Sequence, residues 1–528
     1  MRLYPQSDGT ILSRCTRRAQ LRCYYSMVAS FYVQNFGCRA TQADGAAIER
    51  QFEDQGLERA DAAANAQIVV LNTCTVTASA DQDARAAIRR VHRENPLAKI
   101  VVTGCYAQRA PEELAAIPGV AQVIGNSHKH ELAHLSALPR IHSDPTFVSL
   151  ESLRTENREL RSDVFVSDIF AHTELITAPV FDAANERTRP NLKVQDGCDN
   201  RCSFCVIPFV RGQSRSMKQD QILREVDALV AAGYRELVIS GINLGRWGRD
   251  LEPGDGSQVT GDGFSTETGN TAAAIEGLSR RLATKDWRLP SATDDWRLPS
   301  LIRAILDQTR LEKLRISSVE PMDWTDKLIE LVATSPRIAK HAHVPMQSGS
   351  DAVLRRMHRK YRPWHYREKI DKIRAAMPSA AIGADVMVGF PGETDAEFEE
   401  TRRTVEDLPF TYLHVFTYSA RPGTPAADMP RQIPSQVARA RNRILRELGE
   451  RKKLAFMQSL LGQSLEAITL ASQCSPETLV RELRSARCSE ALTDNYLKLH
   501  LDGKFEPNLW VRAEILAVEN QTLIGRPV

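Results

Sequence analysis

The chain contains 528 residues, of which 42% are hydrophobic and 26% are charged, and its formal net charge is +3. This length is too great for one compact core, so we expect two to four domains, and the small net charge does not by itself indicate a nucleic-acid-binding protein. No apolar run approaches the length of a membrane span, and the first residues show no apolar leader. We therefore expect no membrane association and predict a cytoplasmic location. Ten cysteines are too few for a disulfide scaffold in a chain of this length, so we expect them to be reduced and to serve in metal binding or catalysis.

Residues 1–29 are predicted to be a disordered extension, and residues 30–135 then alternate short apolar runs with helical stretches. Helical periodicity covers Gln42–Phe52 and Ala80–Arg93. This alternation predicts a small α/β domain with a parallel sheet and helices on both faces. The predicted strands are FYVQNF (31–36), AQIVVLN (66–72), AKIVVTG (98–104) and VAQVIGN (120–126).

Residues 136–187 lack a steady pattern and are predicted to be a linker, and a longer alternation then fills residues 188–458. Its helical stretches include Lys218–Ala231 and Trp364–Ala376. Six strand–helix repeats predict an open, six-stranded relative of the α/β barrel, a fold whose chemistry lies at the carboxyl ends of the strands. The predicted strands are LKVQ (192–195), ELVISG (236–241), KLRISS (313–318), HAHVP (341–345), AIGADVMVG (381–389) and YLHVFTY (412–418).

Two segments depart from this alternation. Residues 250–297 are rich in Gly, Ser, Thr and Asp, and DWRLPS occurs at 286–291 and again at 295–300, so we predict a low-complexity insertion without a catalytic part. Residues 459–528 carry short alternating strands and are predicted to form a small β-barrel. The basic stretches 355–362 and 439–453 permit an RNA partner, although a solvated helix face is the commoner explanation of such runs.

The segment DGCDNRCSFCVIP places Cys198, Cys202 and Cys205 in a closely spaced array after the first predicted strand of the partial barrel. Three thiolates at this spacing can hold three irons of a [4Fe–4S] cluster and leave the fourth iron free to chelate S-adenosylmethionine (SAM). Structural zinc is the alternative, but zinc prefers four protein ligands, and no His or further Cys follows nearby. Glycines in ISGINLG (239–245) and GADVMVGFPGET (383–394) could let the backbone approach this cofactor closely.

A second set of cysteines, Cys38, Cys74 and Cys105, is dispersed over the first domain, and each follows a predicted strand. The carboxyl ends of parallel strands lie along one edge of a sheet, so these cysteines could converge there and hold a second cluster. For any one of them, a buried structural role is the alternative.

With these motifs the chain resembles the radical SAM methylthiotransferase family from about residue 30 to its end, interrupted by the insertion. The resemblance is strongest to the threonylcarbamoyladenosine tRNA enzymes (the MtaB type). It is carried by NTCTVTASADQDARAAIRR, VVTGCYAQ, KVQDGCDNRCSFCVIPFVRGQSRS, RISSVEP and YSARPGTPAADMP.

This resemblance implies an α/β architecture of three parts: an N-terminal cluster domain, a central radical SAM partial (β/α)6 barrel and a C-terminal TRAM β-barrel. It implies two [4Fe–4S] clusters, one on the closely spaced cysteines that binds SAM and an auxiliary one on the dispersed cysteines. The implied reaction adds a methylthio group to C2 of N6-threonylcarbamoyladenosine next to the anticodon of tRNA. The implied partners are tRNA, a low-potential electron donor such as flavodoxin or ferredoxin, and a sulfur source.

Weaker predictions for SAM contacts are polar residues at predicted strand ends, namely Ser317, Glu320, Gln347 and Ser348. Arg211 and Arg215 could bind phosphate or the threonylcarbamoyl carboxylate, because a guanidinium forms paired hydrogen bonds with either group. A structural role is the alternative for each of these residues. For the whole chain, the alternative substrates are isopentenyladenosine in tRNA and an aspartate of a ribosomal protein, and a non-catalytic zinc or RNA-binding protein is the alternative from another class.

Overall fold

The computed structural model of the chain describes residues 29–136, 162–172, 189–251, 297–473 and 488–528. The predictions for residues 1–28, for most of the insertion and for most of the linker lie outside these ranges. The chain divides into two compact units, Met1–Ile169 and Phe170–Val528. Within the described ranges, no helix is both long enough and apolar enough to cross a lipid bilayer.

Six parallel strands form the sheet of the first unit: β1 (Ser30–Asn35), β2 (Glu58–Arg59), β3 (Ile68–Thr73), β4 (Lys99–Gly104), β5 (Val120–Ile124) and β6 (Asp163–Phe165). Their order across the sheet is β2-β1-β3-β4-β5-β6, which confirms the predicted parallel α/β fold. The sequence did not predict β2 and β6, because two or three residues are too few to give a periodic pattern. Since β6 pairs with β5, part of the predicted linker contributes to this sheet.

Helices cover both faces of this sheet, as predicted. On one face Ile88 packs in the same apolar cluster as Val69 of β3, and on the other Ile48 and Phe52 pack with Val70 of the same strand. Successive strand residues point to opposite faces, so a continuous apolar run such as IVVL serves both cores. The helices are α1 (Arg39–Asp54), α2 (Ala78–Glu94), α3 (Cys105–Arg109), α4 (Pro111–Ala115) and α5 (Leu132–Leu135).

The second unit contains the six predicted strands of the partial barrel and one short additional strand. They are β7 (Asn191–Asp196), β8 (Arg215–Ser216), β9 (Glu236–Gly241), β10 (Lys313–Ile316), β11 (His341–His343), β12 (Ala381–Val388) and β13 (Tyr412–Thr417). They form two sheets, β10-β9-β7-β8 and β11-β12-β13, in which only the β7–β8 pair is antiparallel. The Val319 N–H donates to the His343 carbonyl at 3.1 Å and so joins the two sheets beside β10 and β11. This arrangement agrees with the predicted open barrel.

Helices between these strands shield one large apolar core. The helix that follows the insertion begins at Arg297, so the RLPS of the second DWRLPS copy forms its first turn. The predicted end of the insertion at residue 297 agrees with this, but the repeat itself is partly structured. The helices are α6 (Ile207–Arg211), α7 (Gln219–Ala231), α8 (Arg297–Gln308), α9 (Asp326–Thr334), α10 (Asp351–Arg356), α11 (Pro363–Ala376), α12 (Asp395–Asp407) and α13 (Ser435–Gln458).

The predicted C-terminal β-barrel is confirmed. It closes in the order β14-β15-β16-β18-β17 from β14 (Ser464–Gln473), β15 (Cys488–Thr493), β16 (Lys498–Asp502), β17 (Trp510–Glu519) and β18 (Thr522–Pro527). The sequence did not predict β15, because CSEALT has little apolar alternation. Cys488 forms a disulfide, unlike the other cysteines in the described ranges, so the expectation of reduced cysteines is wrong at this position.

The C-terminal barrel packs against the α/β part of the second unit through buried charged residues. Arg315 of β10 donates from Nε to Oε1 of Glu236 at 2.7 Å and from Nη1 to the carbonyl of Asp494 at 3.0 Å. Its guanidinium also lies 5.3 Å from the ring centroid of Tyr496. One arginine therefore ties two strands of the partial barrel to a loop of the C-terminal barrel.

Candidate active site

The loop after β7 brings the three closely spaced cysteines together at the carboxyl end of the strand. The Cys198 N–H donates to the Gly212 carbonyl and the Cys205 N–H donates to the Cys202 carbonyl, both at 3.1 Å. Gly197 has a φ of 70°, and a Cβ there would lie 1.8 Å from the Gln213 carbonyl oxygen. Only glycine fits this turn, which starts the loop.

A cavity of about 340 Å³ opens over Cys198, Cys202 and Cys205, which all line its wall. Three thiols line this cavity together with His358. Three closely spaced thiolates suit three irons of a [4Fe–4S] cluster. These three cysteines could therefore hold a [4Fe–4S] cluster with one iron open to the cavity.

Polar side chains that were not predicted approach two of these sulfurs. Arg359 donates from Nη1 to Sγ of Cys202 at 3.2 Å, and Asn243 donates from Nδ2 to Sγ of Cys198 at 3.5 Å. Asn243 is held by its own N–H, which donates to Oε1 of Gln195 at 2.6 Å. Such donors stabilise a thiolate over a thiol, which is the form that binds metal.

Without a metal, the thiolate forms of Cys198 and Cys205 are disfavoured. Burial raises the pKa of Cys198 to about 11 and, with the charge of Cys202, that of Cys205 to about 12. A cysteine that coordinates a metal ion is deprotonated despite such an environment, because the positive metal charge compensates the burial. The site is therefore suited to a bound metal cluster rather than to free thiolates.

A smaller cavity of about 30 Å³ lies beside Cys202 and is lined by charged residues that include Glu320, Arg359 and Lys360. Glu320 and Arg359 form an ion pair. Burial raises the pKa of Glu320, although the nearby Arg359 charge opposes that shift. Burial and the charge of Arg246 lower the pKa of Lys360 to about 8. Glu320 thus lines the same cavity as Cys202, and its role in SAM binding stays a prediction.

The other predicted SAM contacts lie at strand ends but do not line either of these cavities. The Ser317 N–H donates to the Ile239 carbonyl at 3.0 Å. Gln347 has a left-handed backbone with a φ of 63°, and its buried Oε1 has no hydrogen-bond partner among the described residues. Ser348 hydrogen-bonds Thr401 at 3.0 Å, which is a structural contact. A role for Ser317 and Gln347 in SAM binding stays a prediction.

The three dispersed cysteines follow β1, β3 and β4, which are adjacent and parallel in the first sheet. Asn35 of β1 is opposite Asn72 of β3, and Asn72 is opposite Thr103 of β4. Each of the three cysteines comes two or three residues after one of these paired residues. Cys74 and Cys105 are buried and Cys38 is exposed. The fold therefore brings all three to one edge of the sheet, as the sequence predicted.

Close contacts around Cys74 and Cys105 leave no room for larger neighbours. A Cβ on Gly37 would lie 2.9 Å from Sγ of Cys74, so the residue before Cys38 must be glycine for the two cysteine segments to meet. Asn126 donates from Nδ2 to Sγ of Cys105 at 3.6 Å. Three thiols at one edge, one of them with an amide donor, could hold a second iron–sulfur cluster, and this assignment stays a prediction.

Arg211 is not available to a substrate, contrary to the prediction. Its Nη1 donates to both carboxylate oxygens of Asp196, at 2.9 and 3.0 Å, and Lys193 binds the same carboxylate at 2.8 Å. Arg215 donates to the carbonyls of His172 and Arg211. Both arginines therefore have structural partners, because they donate hydrogen bonds to a buried carboxylate and to backbone carbonyls of the protein.

The two glycine-rich segments also serve packing within the protein. A Cβ on Gly245 would lie 2.4 Å from Cβ of Asp323, and one on Gly389 would lie 2.6 Å from Cβ of Ala438 in α13. These two glycines allow close approach of protein segments, and a backbone contact with the cofactor stays a prediction.

The most informative residues that the sequence reasoning missed are Arg359 and Asn243. Arg359 lies in the basic stretch 355–362, which was interpreted as permitting RNA, but it is buried and points at Cys202. Its neighbour His358 has a φ of 56°, an uncommon conformation that often marks functional turns. A single sequence carries no signal that separates a buried arginine from a solvated one.

Two protein families match parts of this chain. Residues 30–125 match a family described as Uncharacterized protein family UPF0004, and residues 192–246 and 290–405 match the Radical SAM superfamily. Threonylcarbamoyladenosine tRNA methylthiotransferase MtaB of Bacillus subtilis (strain 168) is 33% identical over 90% of this chain and 91% of its own length. The tRNA-2-methylthio-N(6)-dimethylallyladenosine synthase 1 of Mycobacterium marinum is also 33% identical, over 94% of this chain and 85% of its own.

Among solved structures, the radical SAM methyltransferase TsrM from Kitasatospora setae, with cobalamin and a [4Fe–4S] cluster bound, has a similar fold. Its TM-score is 0.50 over 76% of this chain and 77% of that chain, at 14% sequence identity. At this identity the likeness concerns the fold alone.

Proposed function

This chain belongs to the radical SAM methylthiotransferase family, and we propose that it adds a methylthio group to C2 of N6-threonylcarbamoyladenosine next to the anticodon of tRNA. The observation that carries the proposal is the loop of Cys198, Cys202 and Cys205 beneath a cavity of about 340 Å³ at the carboxyl end of β7. Relatives named for this reaction align with about nine-tenths of the chain.

The reaction needs radical chemistry, because the C2–H bond of adenine has no acidic proton that a tuned side chain could remove at neutral pH. Cys198, Cys202 and Cys205 would hold a [4Fe–4S] cluster, which would supply the electron for the reductive cleavage of SAM. Arg359 and Asn243 then stabilise the ligating sulfurs by hydrogen bonds, and the Glu320–Arg359 pair fixes the charged wall beside Cys202.

We further propose that Cys38, Cys74 and Cys105 hold an auxiliary [4Fe–4S] cluster that carries the sulfur. Support comes from their common position at the ends of three adjacent parallel strands. A low-potential donor such as flavodoxin or ferredoxin would deliver the electron, and an external source would restore the sulfur.

A tRNA partner is supported by the surface of α13. Arg439, Arg443 and Arg446 are exposed and lie three or four residues apart, so their guanidinium groups share one face of the helix. Arg443 also lies 3.9 Å from Glu447, so the face carries one acidic neighbour. Exposed arginines on one face can bind the phosphates of a nucleic acid. The predicted basic stretch 439–453 therefore contains an arginine face, whereas Arg441 in its interior is buried against Glu393.

Isopentenyladenosine is the second candidate substrate, because relatives named as dimethylallyladenosine synthases are as identical to this chain as those named for threonylcarbamoyladenosine. The two candidates share all the chemistry and differ only in the substituent on N6.

The deciding experiment is mass spectrometry of nucleosides from tRNA of a strain that lacks its own methylthiotransferases and expresses this chain. The methylthio form of threonylcarbamoyladenosine should appear, and the Cys202→Ala variant should abolish it. The exposed-surface variant His365→Ala should retain it and serves as the matched control. A methylthio group found only on isopentenyladenosine would select the second candidate, and unmodified tRNA would refute both.

A further inference from the structure

A group of potential metal ligands lies on three adjacent parallel strands of the second unit, separate from the cysteines. His343 lies on β11, Asp385 on β12 and His414 on β13. In the pairing of these strands, His343 is opposite Gly383 and Asp385 is opposite His414. All three side chains therefore project from the same face of the sheet, because residues two apart on a strand share a face.

The three side chains converge on one small volume. Oδ1 of Asp385 lies 3.2 Å from Nε2 of His343 and 3.2 Å from Nδ1 of His414. One ligand atom from each of the three residues lies within 4.8 Å of the other two. Donor atoms that bind the same metal ion, at bond lengths of about 2.0–2.2 Å, lie at such distances from one another.

The contact between His343 and Asp385 is close but does not have the geometry of a hydrogen bond. The Nε2 atom of His343 is buried and has no hydrogen-bond partner in the described part of the chain. A buried ring nitrogen without a partner is unfavourable, and most such atoms in native proteins are satisfied. An ion placed between the two donor atoms would satisfy both without the angle that a direct hydrogen bond needs.

The surrounding structure holds these ligands in place. The carbonyl of Asp385 accepts the N–H groups of Met346 and Gln347, at 3.1 and 2.8 Å. The ring of Tyr412 is nearly parallel to that of His343, with 8° between the planes and 6.0 Å between centroids. Tyr412 lies over Gly383, where a Cβ would be 1.9 Å from the ring. Ligands fixed by their neighbours in this way are typical of metal sites.

We propose that His343, Asp385 and His414 bind a divalent transition-metal ion, for which Zn²⁺ is the best chemical match. Two imidazoles and one carboxylate suit zinc and disfavour calcium or magnesium, which prefer oxygen ligands. The His414 side chain is 62% exposed, whereas that of His343 is 11% exposed, so the site is open to solvent on one side. Three protein ligands and one open position are the arrangement of zinc sites that bind water or a substrate oxygen.

The test is zinc binding by the full chain after anaerobic reconstitution of its iron–sulfur clusters, so that the cysteines are occupied by iron. Zinc content after gel filtration should be one per chain, and X-ray absorption at the zinc edge should show nitrogen and oxygen ligands near 2.0–2.1 Å without sulfur near 2.3 Å. Because the readout is the zinc ligand shell, this test stands apart from the tRNA reaction.

Substitutions separate this site from other zinc binding. His343→Ala, Asp385→Asn and His414→Ala should each weaken zinc affinity at least tenfold, whereas the exposed control His365→Ala should leave it unchanged. His414 is mostly exposed, so its substitution should not prevent folding, and a circular dichroism spectrum equal to that of the parent protein checks this. Zinc with sulfur ligands only, zinc retained by all three variants, or no zinc at micromolar free concentration would each overturn the proposal.

Discussion

Replacing Arg315 tests whether a buried ion pair holds the C-terminal barrel to the rest of its unit. The Arg315 and Glu236 side chains are 2% and 0% exposed, and the Nε to Oε1 distance is 2.7 Å. Loss of one partner of such a pair costs about 3–5 kcal/mol, because the remaining charge is left desolvated. Nη1 of Arg189 lies 3.8 Å from the same oxygen and retains part of the attraction. We therefore expect Arg315→Met to lower the free energy of unfolding by about 3 kcal/mol, the lower end of that range.

The measurement is urea unfolding of the cluster-free protein followed by circular dichroism. Arg526→Met is the control, because Arg526 and Glu514 form an exposed pair at 2.8 Å, and we expect a loss below about 1 kcal/mol. The double variant Arg315→Met/Glu236→Leu removes both buried charges. Its loss of unfolding free energy should be smaller, by at least about 1 kcal/mol, than the sum of the losses in the two single variants. Equal losses for Arg315→Met and Arg526→Met, or strict additivity in the double variant, would refute the reasoning.

Three further outcomes are expected. Gly383→Ala should destabilise the protein by about 1–3 kcal/mol in the same urea assay, because its Cβ would lie 1.9 Å from the Tyr412 ring. In the cluster-free protein, Lys360 should titrate near pH 8, and Arg246→Gln should raise that pKa, as nuclear magnetic resonance of ¹³C-methylated lysines can show. The unfolded chain holds this proton more tightly, so stability should rise with pH between about 8 and 10.5. Cys74→Ala should reduce reconstituted iron from about eight to about four atoms per chain, since two clusters of four irons are expected; a value of eight would contradict the auxiliary cluster.

The sequence predicted those elements that have a long, regular apolar pattern. The six strands of the partial barrel and the longer strands of the first sheet follow such patterns, and each structural boundary lies within a few residues of the prediction. It did not predict β2, β6, β8 and β15, because strands of two or three residues and a segment with little apolar alternation give no periodicity. Their existence depends on the strand beside them, which is a tertiary effect.

The placement of the cysteines could be predicted, because they follow strands or form a short array. Their role as cluster ligands stays a prediction. The placement of Arg359 could not be predicted, since it depends on a left-handed turn at His358 that directs the side chain inward. The same limitation explains the wrong interpretation of Arg211, whose partner Asp196 is 15 residues away in the chain and adjacent only in the fold. Polar residues gain their functions from neighbours that a linear pattern does not reveal.

The spacing of the two cysteine sets has a consequence for the order of cluster assembly. Cys198 and Cys205 are separated by seven positions, whereas Cys38 and Cys105 are separated by 67 and meet only when three strands have paired. Closing the longer loop costs about 2 kcal/mol more in chain entropy, so an unfolded chain can gather the first set much more readily than the second. The short loop can therefore gather its cysteines before its unit has folded, whereas the dispersed cysteines come together only after β1, β3 and β4 have paired.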